Sequence, residues 1–413
     1  MSPTSRSSWL TVTQLLFASL LPAHVSLAQS TGSWPRHTID DSSRGADGVR
    51  ALDVNSDGLL DLVSGWEEGG VVRLYLHPAL DAVTAPWPAV TVGHVTSPED
   101  AVLVDLDADG FVDVVSCCEG NNRNVYVHWA PRDRQRLLDE SAWTTAPFPV
   151  LQGRQAFMFC VPAQIDGERG VDLVVGAKQS KTGVSQVGWL QSPADPRRLE
   201  DWTWHPLYDA GWIMSLIAED MNSDGWPDIL MTDRKGDTRG CQWLTNPGGQ
   251  LATKRDQWFP RYNVGGQGSE VMFADMGDLD DNARIDVVTA TADSGLLAFI
   301  NITGTGEQWA TIRIPMPEHT GSGKSVACGD INLDGRLDLV VTCEHAEDKH
   351  GVFWLERSSP ESSQWQFRPI SGTTGIKFDF AKLLDLDGDG DLDVLTCEER
   401  AGLGVHWYEN PNR

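Results

Sequence analysis

Asp53-Val54-Asn55-Ser56-Asp57-Gly58-Leu59-Leu60-Asp61 decides the fold, because the chain writes this acidic word again and again. Asp105 to Asp113, Asp220 to Asp228, Asp330 to Asp338 and Asp385 to Asp393 keep the same pattern, D-x-[DN]-x-D-G-x-x-D. Two copies are worn: Asp278 to Asp286 has Ala283 in place of the glycine, and Gln164 to Asp172 lacks the first carboxylate. Successive first positions are 52, 59, 56, 58, 52 and 55 residues apart. A near-constant period of that length marks a repeat architecture of seven units.

Oxygen side chains at positions one, three, five and nine, with glycine at six for a positive φ, suit a hard cation. All-oxygen coordination rich in carboxylates favours Ca²⁺ over transition metals, and the adaptable geometry favours it over Mg²⁺. The implied ligands are Asp53, Asn55, Asp57 and Asp61; Asp105, Asp107, Asp109 and Asp113; Asp220, Asn222, Asp224 and Asp228. The later copies add Asp278, Asp280, Asn282 and Asp286; Asp330, Asn332, Asp334 and Asp338; Asp385, Asp387, Asp389 and Asp393. This gives five strong sites, a weak one at residue 278 and an empty one at residue 164. An EF-hand is excluded, since position twelve holds Ser64, Ser116, Met231, Thr289, Val341 or Thr396 rather than Glu, and β-rich runs follow each loop. Asp-Gly clusters also make plain turns, but seven copies in register favour metal loops.

Each repeat places an alternating segment before the loop, a β-branched run after it, an aromatic strand and a segment opened by Trp. Four short strands per unit describe a propeller blade. After Tyr408 no Trp segment follows, whereas Trp34 to Ile39 supplies one at the front. The expected fold is all-β: a seven-bladed propeller of four-stranded blades over residues 34–413, closed by an N-terminal outer strand. Closure removes the free sheet edges. Most of the 17 Trp then pack between blades.

The loops and their spacing resemble the FG-GAP/VCBS repeat family, across residues 34–413. The resemblance implies calcium loops of the kind carried by integrin α-subunit propellers and secreted bacterial proteins. It spans adhesins, lectins, polysaccharide lyases and sugar dehydratases, so it leaves function open. The Phe-Gly and Gly-Ala-Pro words that flank integrin loops are missing here, and an integrin-like ligand site is not carried over.

Residues 1–28 have the layout of a secretory signal: Arg6 as the early charge, an apolar stretch from Trp9 to Leu21, and Ser26-Leu27-Ala28 at the cleavage point. A secreted or periplasmic protein without a membrane span is expected. The net charge of −27 owes much to 23 acidic side chains at loop positions, and six bound Ca²⁺ would return +12. Such acidity excludes nucleic acid as a partner and leaves carbohydrate or an extracellular protein. Seven cysteines are no disulfide scaffold; a Cys328–Cys343 pair within one blade is an open alternative to buried thiols.

Counting along the repeat locates a second site, on the face opposite the loops. Six residues past loop position nine stand Glu67, Glu119, Lys178, Arg234, Ala292, Glu344 and Glu399; six before position one stand Asp47, Glu99, Met158, Met214, Met272, Lys324 and Asp379. These side chains are expected to converge at the mouth of the central channel, with Trp212 among them. Neighbours such as Asp100, Asp233, Glu270, His345, Lys377 and Glu398 add to the cup. A solvated rim is the bland reading; converging charge of both signs favours a ligand pocket. A lectin-like or protein-binding cup is the first expectation. The alternative is a carbohydrate-active lyase, dehydratase or hydrolase with catalytic candidates Glu67, Glu119, Lys178, Lys324, Glu344, His345 and Glu399. His37, in the closing strand, is read as a satisfied surface histidine.

Overall fold

Among the described residues, alternation of apolar residues around each loop yields twenty-eight strands in seven four-stranded antiparallel sheets. The computed structural model describes residues 32–179, 185–357 and 365–411, so the signal segment expected at 1–28 lies outside the described residues. In the first blade Ala46–Leu52, Asp61–Trp66, Val71–Tyr75 and Ala89–His94 follow one another from the channel outward. The last blade takes Lys382–Leu384, Asp393–Glu398 and Gly404–Tyr408 from the C-terminal end. Its outer strand is Arg36–Asp40, which pairs with Gly404–Tyr408 and sets His37 opposite Trp407. First strands pack on one another around the ring, and Ala46–Leu52 closes it against Asp393–Glu398.

The loops share one backbone path. Position four is left-handed in every copy: Ser56, Ala108, Gly167, Ser223, Asp281, Leu333 and Gly388. Position six is left-handed too, at φ +87° for Gly58 and still at +63° for Ala283 and +60° for Arg169. Loss of glycine in two copies has therefore not changed the turn; it has added strain of about 1 kcal/mol.

The core lies in the wedges between blades. Trp66, Trp189, Trp243, Trp258 and Trp407 are fully buried, and Trp202 nearly so. The cysteines are free thiols. Cys328 sits opposite Leu339 and Cys343 opposite Gly323, so the register puts the two at different levels of the sheet and excludes the bridge left open above. Two histidines are also fully buried: His128, between Ser116 Oγ and Thr145 Oγ1 at 2.8 Å each, and His406, at 3.1 Å from the Gly404 carbonyl. Burial pushes the first down to about 3 and the second to about 4. Because the unfolded chain binds these protons more readily, their contribution is complete above pH 6.5 and is lost as pH falls toward 4. The melting temperature of a His128→Gln/His406→Asn variant should fall less than that of the parent between pH 7 and 5. Parallel curves would refute the assignment.

Candidate functional site

In all seven blades the Asp at loop position nine holds the blade together. One oxygen accepts the backbone amide of position two; the other accepts an amide at or just past the end of the third strand. For Asp61 these are Val54 and His77, at 2.8 Å each. Asp113, Asp172, Asp228, Asp286, Asp338 and Asp393 repeat the pair. Burial raises these carboxyls, Asp113 to about 8 and Asp338 to about 7. The Asp at position one takes the position-six amide in six copies, from Ala283 on Asp278 at 2.7 Å to Gly390 on Asp385 at 3.1 Å.

These loops fit a calcium ion. Oxygens of Asp105, Asp107 and Asp113, of Asp278, Asp280 and Asp286, and of Asp385, Asp387 and Asp393 lie within 4.8 Å of one another. The copies at 53, 220 and 330 have Asn at position three on the same backbone path. Arg132 and Arg197, from outside this loop, each pair with Oδ2 of Asp107 and of Asp109. The copy at 164 does not fit. Gln164 turns its amide nitrogen inward and donates to the carbonyls of Glu168 at 3.1 Å and Gly170 at 2.6 Å. Gln191 donates to Asp166 and Gln250 to Glu168. Neutral amide donors thus satisfy the oxygens that a cation would take.

On the opposite face one cavity of about 320 Å³ gathers Asp47, Glu67, Glu99, Glu119, Lys178, Trp212, Arg234, Lys324, Glu344, His345 and Asp379. β-Bulges aim many of these side chains. The register shifts between Pro98 and Asp100, between Ile213 and Ser215, and between Gly323 and Ser325, which turns out Glu99, Met214 and Lys324. A wider bulge from Val271 to Ala274 brings in Phe273, and Phe159 borders another; the counting missed both because it carried no bulge signal.

Other neighbours serve the frame. Asp233 accepts the amides of Gly211 and Trp212, Glu398 those of Lys377 and Ala401, and Asp100 is paired with Arg50 inside the channel. Glu399 stands behind the wall on Lys377. His37 bonds Glu409 at 2.7 Å and packs on Trp407.

The floor of the cup is electrostatically uneven. Burial, then the charges of Asp379, Glu399 and Glu99, pushes Asp47 far above the carboxylate range. Burial acts on Asp379 as well, but Lys324 at 3.3 Å overrides it and holds the group down to about 2. The two neighbouring carboxyls are thus biased in opposite directions, Asp47 toward the neutral form and Asp379 toward the charged one. Burial and Asp379 raise Glu399 to about 7. Lys178 and Arg234 stand 4.7 and 5.0 Å from the Trp212 ring, so protein cations already occupy it.

Residues 53–116 and 278–341 match the family described as FG-GAP-like repeat. Integrin alpha pat-2 of Caenorhabditis briggsae is 25% identical over 210 residues, 48% of this chain and 14% of that protein's length. The solved structure of BBS1N in complex with ARL6DN aligns with a TM-score of 0.51 at 11% identity, covering 92% of this chain and 97% of that one. At that identity the likeness concerns the fold alone. The chain is a seven-bladed propeller that carries FG-GAP-like repeats at residues 53–116 and 278–341. No helix of the described residues is long and apolar enough to cross a membrane.

Proposed function

We propose that this chain is an exported, calcium-stabilised binding module whose cup, opposite the calcium loops, takes a compact polar ligand, foremost a carbohydrate. The supporting observation is the convergence of charged side chains from separate blades on one cavity of about 320 Å³. That volume suits a ligand of one or two sugar rings. Its donors and acceptors match hydroxyl groups, while Met158, Met214, Phe159 and Phe273 offer an apolar wall. The integrin relative makes a side chain of a partner protein the competing occupant.

An enzymatic reading is favoured by the Asp47–Asp379 pair, one carboxyl pushed up by burial and one held down by Lys324, the opposite biases that acid–base chemistry needs. Separate Glu67→Gln, Glu119→Gln and Glu344→Gln variants, assayed on a glycan array with thermal shift, distinguish the cases. A lectin loses affinity by about 10- to 100-fold per lost charged hydrogen bond. A lyase or hydrolase keeps binding and loses product, read by mass. Unchanged affinity and no product would overturn the cup as a saccharide site.

A further inference from the structure

Six of the seven blades send a charged side chain to the cup from one or both of the counted positions, six residues before or after the loop. The fifth blade, built from Val271–Gly277, Asp286–Thr291, Gly295–Asn301 and Trp309–Ile314, has Met272 and Ala292 there. Met272 is fully buried, and Ala292 has no side chain to fill its place on the wall. Glu270, the carboxylate just before this blade's first strand, is held by Arg234 and Lys235 of the fourth blade. The ring of charge is therefore broken at the fifth blade. The contact that spans the break, from Arg234 to Glu344 of the sixth blade, is 3.8 Å long, beyond hydrogen-bond length.

Ala292 instead lines a second cavity of about 430 Å³, which runs from residues 291–295 of the fifth blade to residues 320–323 of the sixth. His345 lines both this groove and the cup, so the two adjoin at one side chain. That side chain is fixed: its backbone is left-handed at φ +57°, and its Nδ1 stands 3.0 Å from Ser322 Oγ. The groove differs in chemistry from the cup. Ser294, Thr320 and Ser322 give it hydroxyls, Met316 gives it apolar surface, and the opposite charges of Asp293 and Lys349 balance. A groove between the last and first blades also meets the cup, at Arg400. There Lys377 of the cup wall is paired with Glu399 of the groove wall, and the ion pair stands between the two.

We propose that the cup and the groove beside the fifth blade form one elongated site, and that its ligand is an oligosaccharide chain. One or two rings occupy the charged cup, and the rings that follow pass Ala292 and His345 into the groove. Two adjoining cavities suit a ligand longer than either. Hydroxyls beside an apolar patch, with no net charge, match the hydroxyl edges and C–H faces of a neutral sugar chain. This extension rests on the cup being a saccharide site.

The test is a length series, measured by calorimetric titration of the full chain in calcium. Cello-, chito-, malto- and xylo-oligosaccharides of one to six rings serve as probes. In the ladder that binds, the six-ring member should bind about tenfold or more tighter than the two-ring member. Ala292→Trp at the junction and Ser294→Trp in the groove should each bring that ratio close to one. The ratio is taken within one protein, so a misfolded variant, which binds neither member, is not mistaken for a blocked groove. Equal affinity for two and six rings in the parent would overturn the groove and leave the cup standing. A length advantage that survives in both Trp variants would also overturn it. No binding at any length would remove the saccharide reading of the cup and the extension together. A Gly/Ser decapeptide bound in place of the ladders, and lost in Ala292→Trp, would overturn the saccharide class.

Discussion

Chelation should lower the melting temperature by on the order of 10 °C, and added calcium should restore it. Each fitting loop brings four oxygen side chains together, three or four of them carboxylates, and its position-nine Asp is buried in a raised state that an ion would reverse. Loops of this kind in extracellular modules bind with Kd values of roughly 10⁻⁴–10⁻³ M. With calcium at about ten times Kd, each site contributes about 1.4 kcal/mol by mass action. Six sites then sum to about 8 kcal/mol, and a domain of this size gains roughly 1–2 °C per kcal/mol. Differential scanning calorimetry in calcium and in EDTA measures the difference directly. An unchanged transition after thorough chelation would sink the calcium reading. Titration should give no equivalent for the loop at residue 164, where Gln164 supplies its own donor.

Much of this fold was legible because a propeller repeats its information. One loop word could be a turn; seven at a steady period fix strand order, loop face and, through Trp34 to Ile39, the closing strand. The cup was legible by counting for the same reason: equal offsets from equivalent loops land on equivalent turns. What counting could not see is local. The bulges that bring Phe159 and Phe273 to the cavity have no spacing signature, and so the apolar wall was missed. Neither could sequence tell a pocket carboxylate from a brace. Glu398 and Asp233 have the same residue types as Glu344 and Asp47, yet backbone amides take their oxygens. Trp212, counted among the cup residues, lies under Lys178 and Arg234.

The same distinction governs the loops, where position nine has been read as a ligand but its oxygens also brace the blade. Removing that brace should be the costliest single change in the protein. In Asp338→Ala the amides of Ile331 and Arg357 lose their buried acceptor, and a fully enclosed side chain leaves a void. Two stranded donors put the loss at about 3–5 kcal/mol. The loop at 164 provides the control, because Asp172 makes the same two bonds, to Ile165 and Ser192, in a loop that does not fit an ion. Asp172→Ala should therefore cost a similar amount, equally in calcium and in chelator. Asp338→Ala should cost more in calcium, since it forfeits an ion as well. Asp334→Asn, at position five, should matter mainly in calcium, because its carboxylate braces no strand and is partly exposed. Urea unfolding of the three variants under both conditions gives six numbers for two effects. If Asp172→Ala cost less than about 0.5 kcal/mol, the surface-substitution range, the brace would be ruled out. If Asp334→Asn cost as much in chelator as in calcium, the ion would be absent from that loop.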